Sequence, residues 1–181
     1  MSELNRAAFL DRDGVINEAF IKNGIPFSPS SVADLKIISG VQGAISKLRK
    51  HGYIPVVITN QPDVSRGRLN PDSLNEMHRF LAEKLGIDHF FVCPHDDIDN
   101  CQCRKPKPGM IRDAASKLKI DLSKSFLVGD RWKDVEAGHL AGVKVYFIDY
   151  FYSDLRPKLP YERVSSLFEA VEMELGGSRE S

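Results

Sequence analysis

Five short apolar runs, none of them alternating, constrain this chain more than any other feature of its sequence. They are Ala7-Ala-Phe-Leu10, Ile54-Pro-Val-Val-Ile58, Phe90-Phe-Val-Cys93, Ser125-Phe-Leu-Val128 and Val143-Lys-Val-Tyr-Phe-Ile148. A strand with one wet face alternates apolar and polar residues, whereas an unbroken run rich in β-branched and aromatic side chains is covered on both faces. Between the runs lie segments of helical pattern, at 40–51, 71–85, 109–118 and 133–141. The second is the best punctuated: Asn70 can cap it, Pro71 suits its first turn, and Gly86 can end it. Strands alternating with helices require right-handed parallel crossovers. The expected fold class is therefore α/β, a doubly wound Rossmann-like parallel sheet with helices on both faces.

At 181 residues, this is the length of one domain rather than two. Two stretches break the alternation. Residues 18–35 are rich in Pro, Ser and Gly and are expected to form an irregular flap. Residues 93–108 are polar and hold every cysteine of the chain. After Tyr150 a proline-bearing loop over 152–161 should lead to a last helix at 165–175 and a frayed tail over 176–181.

Twenty-five Lys plus Arg balance twenty-five Asp plus Glu. No global positive field exists to hold a nucleic acid or an anionic membrane, so neither is expected as a partner, and any anion must be gripped locally. The start of the chain, Met1 to Arg6, lacks the basic and apolar blocks of a secretory signal. No window approaches a membrane-spanning length. Three clustered cysteines do not make a disulfide scaffold. The expectation is a soluble, cytoplasmic monomer.

Ligands of parallel sheets bind beyond the carboxyl ends of the strands, so the residues just past each run carry the chemistry. The first run leads into Asp11-Arg-Asp13-Gly, the second into Thr59-Asn60-Gln61, the third into the cysteine loop and then Arg104-Lys105-Pro106, and the fourth into Gly129-Asp130-Arg-Trp-Lys-Asp134. Carboxylates, a hydroxyl and a cation are thus delivered to one rim. That set suits phosphate ester cleavage: a carboxylate can attack phosphorus and split a hard hydrolysis into two easier steps. Asp11, Asp13 and Asp130 would repel one another unless a divalent cation neutralised them, and Mg2+ suits such oxygen donors. Lys105 and Thr59 could hold the remaining phosphoryl oxygens as charge shifts in the transition state.

Cys93, His95, Cys101 and Cys103 offer three thiolates and one imidazole within eleven positions, a ligand set for tetrahedral Zn2+. A redox pair is the competing reading, but Cys-x-Cys lacks the spacing of a Cys-x-x-Cys switch. Four protein ligands leave no open position, so zinc here should be structural. It would fix the loop that carries Arg104 and Lys105.

Asp11-x-Asp13-Gly-Val, Thr59-Asn60 after an apolar run, Lys105, and Gly129-Asp130-x-x-x-Asp134 resemble, in order, the four motifs of the haloacid dehalogenase-like phosphohydrolases, over residues 7 to about 148. The resemblance implies that Asp11 is the nucleophile and Asp13 the general acid and base. It implies that Asp11, the backbone carbonyl of Asp13, and Asp130 bind Mg2+, with Asp134 supporting them from behind. Cys-Pro-His, a spacer and Cys-x-Cys-Arg-Lys-Pro resemble the zinc-loop branch of that superfamily. No second domain's worth of residues lies between the first and second motifs or between the second and third, so the chain is expected to be essentially capless, with only the 18–35 flap and the zinc loop walling the site. Asp11-Arg-Asp-Gly-Val-Ile-Asn17, Thr59-Asn60-Gln61 and Arg66-Gly67 look more like the branch that acts on a heptose bisphosphate than the branch that acts on histidinol phosphate. The short zinc spacer is shared with the latter, and Pro62-Asp63 departs from the former. The implied partner is a small phosphorylated sugar touched by Asn17, Asn60, Gln61, Arg66 and Arg104, with Arg104 set for a second phosphate. Asn17 could equally cap a turn, and Trp132 could cover the metal site or simply pack. His51, His78, His89 and His139 show no partner pattern and read as surface or helix residues. A zinc-stabilised binding module without catalysis would lack one of the key carboxylates, and all are present.

Overall fold

Buried on both sides, the first apolar run shows why its sequence does not alternate: Ala8 and Leu10 pack into one apolar layer and Ala7 and Phe9 into the layer on the other face. The computed structural model describes residues 4–176. In chain order the strands are β1 (Arg6–Leu10), β2 (Phe20–Lys22), β3 (Ile25–Phe27), β4 (Tyr53–Asn60), β5 (His89–Cys93), β6 (Phe126–Gly129), β7 (Lys144–Ile148) and β8 (Glu162–Val164). Six of them form one sheet in the order β5-β4-β1-β6-β7-β8, and every neighbouring pair is parallel. β1 lies at the centre, with Phe9 opposite Val56 on one side and Leu127 on the other. The chain steps outward from β1 through β4 to β5, then returns across β1 to β6. The direction of winding reverses between β1 and β6, and a crevice opens at their carboxyl ends.

Helices α1 (Val41–Lys50), α2 (Pro71–Leu85) and α5 (Leu167–Gly176) cover one face, and α3 (Gly109–Leu118) and α4 (Trp132–Ala141) the other. In α1 the buried Val41, Ala44, Ile45 and Leu48 recur at helical spacing and form its sheet-facing stripe. In α2 the Asn70 side chain accepts a hydrogen bond from the Asp72 amide at 2.8 Å, and Gly86 ends the helix in the left-handed conformation.

The structure differs from the sequence reading in two places. Residues 18–35 are not irregular throughout: β2 and β3 form an antiparallel hairpin, with Phe20 opposite Phe27. Asn23 and Gly24, both at positive φ, make its two-residue turn. An Asn-Gly pair between two apolar triplets is a strong hairpin signal, masked here by the surrounding Pro and Ser. The sheet also gains β8, too short to show a pattern of its own. Gly176 closes α5, and the rest of the expected tail, 177–181, lies outside the described residues. Among the described residues no helix is long and apolar enough to cross a membrane.

Candidate active site and metal centres

Asp11 leaves β1 and Asp130 leaves β6, so the reversal of winding sets them side by side. Carboxylate oxygens of Asp11, Asp130 and Asp134 lie within 4.8 Å of one another, all in buried residues. Lys105 reaches in from the loop after β5. Its Nζ donates to Asp11 Oδ1 at 2.8 Å, to Asp134 Oδ1 at 2.6 Å and to the Ile58 carbonyl at 2.9 Å. The second oxygen of Asp134 accepts from the Arg131 amide at 3.0 Å, so both of its oxygens are engaged. Asp130 differs: its Oδ1 is buried without a protein partner. One ammonium cannot balance three carboxylates away from water. Burial pushes Asp11 up to about 6, against the pull of Lys105, and burial with the charge of Asp11 raises Asp130 well above the usual range. An orphaned carboxylate oxygen facing further carboxylates fits a small, hard divalent cation. Gly14, at φ +86, permits this approach, because a Cβ there would sit 2.0 Å from Asp130 Oδ2.

Asp13 lines the same cleft and sits in a nest of donors. Arg12 Nε and Nη2 bond to it at 3.0–3.1 Å, Asn17 Nδ2 at 2.9 Å, Ser28 Oγ at 2.7 Å and Gln61 Nε2 at 3.0 Å. Burial alone would raise its pKa, but the Arg12 guanidinium and the three other donors outweigh that and hold Asp13 below the ordinary carboxylate range. Arg12 is fully buried, and its Nη1 lies 3.2 Å from Nε2 of His78. His78 is a helix residue, as the sequence allowed, but not a surface one: it lies in α2, is 8% exposed, and its ring stacks on Phe90 at 4.9 Å. Burial and the charge of Arg12 hold His78 down at about 4, so the imidazole is neutral.

Asn17 is also reassigned. It is fully buried, lies outside the cleft lining, and divides its amide between Asp13 and the Glu18 carbonyl. It aims Asp13 rather than meeting a substrate. Asn60 clamps the Lys105 backbone, donating to its carbonyl at 3.0 Å and accepting from its amide at 3.1 Å. Gln61 joins Asp13 to Thr59, whose hydroxyl accepts from Gln61 Nε2 at 2.9 Å. Thr59, Asn60 and Gln61 all line the cleft.

The cleft encloses about 240 Å³ above these groups. Ile25, Pro26 and Phe27 of β3 form one wall, and Arg66, Arg104, Arg131 and Lys133 bring four cations to the others. Arg66 pairs with Asp96 at 2.5 Å, Arg104 with Asp97 at 2.7 Å and with the His95 carbonyl at 3.1 Å, and Lys133 with Asp97 at 3.5 Å. Arg104 and Lys105 diverge along one loop, Arg104 toward Asp97 and Lys105 toward Asp11. Sequence reasoning missed Arg12, Ser28, Arg131 and Lys133. Arg12 and Arg131 look like mere spacers inside motifs, and nothing local to Ser28 marks it. Trp132 packs outside the carboxylate group, donating Nε1 to Asp154 at 3.2 Å.

Cys93, His95, Cys101 and Cys103 converge in a second cluster. Their ligand atoms stand 3.6 Å (Cys93 to Cys101), 3.4 Å (Cys101 to Cys103), 3.3 Å (His95 Nδ1 to Cys103) and 3.7 Å (Cys93 to His95 Nδ1) apart. A tetrahedral ion with metal–sulfur bonds of about 2.3 Å needs edges near 3.8 Å, slightly less to nitrogen. The four atoms therefore fit zinc, and they sit directly before Arg104 and Lys105.

The profile of the haloacid dehalogenase-like hydrolases matches residues 30–142. The chain is 37% identical over 153 residues to a D-glycero-beta-D-manno-heptose-1,7-bisphosphate 7-phosphatase of Haemophilus influenzae, covering 78% of this chain and 80% of that one. It is 39% identical over 147 residues to the enzyme of the same name from Bordetella bronchiseptica, covering 77% and 78%. Among solved structures, a D,D-heptose 1,7-bisphosphate phosphatase of B. bronchiseptica, complexed with magnesium and phosphate, superposes with a TM-score of 0.80 at 29% identity, over 95% of this chain and 99% of that one. Sequence, sheet order and the carboxylates at the reversal of winding agree: this chain belongs to the haloacid dehalogenase-like hydrolases.

Proposed function

We propose that this chain is a magnesium-dependent phosphomonoesterase that removes the 7-phosphate of D-glycero-D-manno-heptose 1,7-bisphosphate through an aspartyl-phosphate on Asp11. One arrangement carries the reading: Asp11, Lys105, Asp130 and Asp13 meet at the floor of a cleft whose rim holds four cations. Relatives of that activity, similar over more than three quarters of the chain, support the substrate. The 1–181 chain is read as a single phosphatase domain.

Asp11, the Asp13 backbone carbonyl and Asp130 would hold Mg2+, which when bound neutralises the carboxylates and the phosphoryl oxygens. Lys105 steers and partly neutralises the Asp11 carboxylate and stands ready to meet charge developing on the phosphoryl group. An Asp11 oxygen forms its bond to phosphorus as the bond to the sugar oxygen breaks, and the departing alkoxide takes a proton from Asp13. Water then attacks phosphorus, returns a proton to Asp13 and frees Asp11 and inorganic phosphate. In the free protein Asp13 is held as carboxylate, the form required in the second step. The arrival of a phosphate dianion beside it raises its proton affinity for the first. Arg104 and Arg66, both tied to acidic partners on the zinc loop, are the candidates for the second phosphate, and the four sulfur and nitrogen ligands would hold zinc as a structural ion.

The test is phosphate release from a panel of heptose 1,7-bisphosphates of both anomers, fructose 1,6-bisphosphate and histidinol phosphate. A heptose bisphosphate should give the highest kcat/KM. Preference for histidinol phosphate would overturn the substrate, and no release from any of the four would overturn the reading altogether.

A further inference from the structure

A buried arginine keeps its charge and can only donate, so its N–H groups need acceptors within the fold. Arg12 is fully buried, and two side chains accept from it. Asp13 is one: Arg12 Nε donates to Oδ1 at 3.1 Å, and Nη2 donates to Oδ1 at 3.0 Å and to Oδ2 at 3.1 Å. Asn17, Ser28 and Gln61 each reach a single oxygen of that carboxylate. Arg12 spans both oxygens and so fixes the plane in which they lie. The other acceptor is His78, whose Nε2 stands 3.2 Å from Arg12 Nη1. A guanidinium has no lone pair to offer, so Nε2 must be the unprotonated nitrogen of a neutral ring. His78 interrupts the apolar face of α2, among Leu74, Met77, Leu81 and Leu85, where an unbonded imidazole would be costly. Its ring stacks on Phe90 at 4.9 Å and 22°, which fixes the direction of Nε2. Stack, imidazole, guanidinium and carboxylate form one chain of contacts from α2 and β5 to the floor of the cleft.

We propose that His78 is a positioning residue for proton transfer by Asp13: it holds the Arg12 guanidinium in the orientation that spans both Asp13 oxygens. The inference rests on the reading of Asp13 as the acid and base of phosphate transfer, in which the proton passes from its carboxyl to the sugar oxygen as the bond from that oxygen to phosphorus breaks. Without an acceptor at Nη1 the guanidinium is free to turn. Asp13 then loses its two-oxygen clamp and keeps only the single contacts from Asn17, Ser28 and Gln61. A displaced proton donor slows the step that needs its proton and leaves substrate binding alone. Neither His78 nor Arg12 lines the cleft, so neither would touch substrate.

Turnover of heptose 1,7-bisphosphate and of p-nitrophenyl phosphate is measured with saturating Mg2+. A sugar alkoxide needs a proton to leave, and p-nitrophenolate does not. His78→Phe keeps an aromatic ring against Phe90 and removes the acceptor. Its kcat on the heptose bisphosphate should fall about tenfold or more with KM unchanged, while its kcat/KM for p-nitrophenyl phosphate stays near the parent's. His78→Gln removes the ring and returns an acceptor oxygen close to the place of Nε2, so its kcat should be near the parent's. Asp13→Asn should show the same contrast between the two substrates, only larger. Parent-like kcat in His78→Phe, with the contrast present in Asp13→Asn, overturns the inference and leaves the acid–base reading intact. Equal losses in His78→Phe and His78→Gln assign the effect to the ring and overturn it, as does a loss in His78→Phe spread evenly over both substrates. If His78→Phe does not fold, His78→Gln decides alone: parent-like kcat without the ring supports the acceptor role, and lost kcat overturns it. Parent-like kcat on the heptose bisphosphate in Asp13→Asn overturns the acid–base reading, and the inference with it.

Discussion

Arg104 and Lys105 are adjacent in sequence and face opposite tasks. Lys105 is buried between Asp11 and Asp134, whereas Arg104 lies along the cleft rim against Asp97. Lys105→Ala should therefore depress kcat itself, because its contact strengthens as charge develops in the transition state. Arg104→Ala should chiefly raise KM for a bisphosphate, by about 1.5–3 kcal/mol of lost binding, and matter much less for a monophosphate. Steady-state kinetics on paired substrates checks both, and equal losses on the two would remove Arg104 from the second-phosphate role. His78 gives a test by pH. It sits at about 4 in the fold against an ordinary 6.5, so the unfolded chain takes a proton that the folded one resists. Above about 6.5 this costs nothing; as pH falls from there toward 4, stability should drop by on the order of 3 kcal/mol in total. Denaturant melts across that window should show the slope, and His78→Gln should flatten it; an unchanged slope would contradict the assignment. Asp11, Asp13 and Asp130 were legible in the sequence because each lies just past a strand, and Lys105 because it follows the last cysteine of the loop after β5. Arg12 and His78 were not, since only the tertiary fold brings a spacer residue of the first motif against the middle of α2.

The segment 93–108 has no apolar core of its own, and under the proposed reading a zinc ion held by Cys93, His95, Cys101 and Cys103 fixes its geometry. Cys101→Ser, or removal of zinc by a strong chelator, should lower the melting temperature and increase amide exchange over this segment. Activity should fall with it, as Arg104 and Lys105 lose their placement. Unchanged protection after zinc removal would contradict a structural role. A mild chelator that withdraws only Mg2+ should instead stop turnover reversibly and leave that protection intact. The cluster was readable from spacing alone, because four ligands fell within eleven positions. The flap was only half readable. Its composition suggested irregularity, while Asn23-Gly24 between Phe20-Ile21-Lys22 and Ile25-Pro26-Phe27 encoded a hairpin whose second strand walls the cleft. β8 escaped notice because three residues, of which only Val164 is buried, carry no period.

Across the whole molecule, five unalternating apolar runs and the helical segments between them were enough to specify a doubly wound parallel sheet. The place where winding reverses, between β1 and β6, brought Asp11 and Asp130 together although 119 positions separate them along the chain. What the sequence could not supply was the second layer of support: the donors around Asp13 and the clamp of Asn60 on Lys105. Each depends on long-range packing rather than on local pattern. The central claim is that the sheet presents Asp11 as a nucleophile toward phosphorus. Asp11→Asn preserves shape and removes the attacking charge, so phosphate release with saturating Mg2+ should fall at least about a thousandfold, on the order of 4 kcal/mol of barrier, in a protein that still folds. Near-parent turnover in Asp11→Asn would contradict the account.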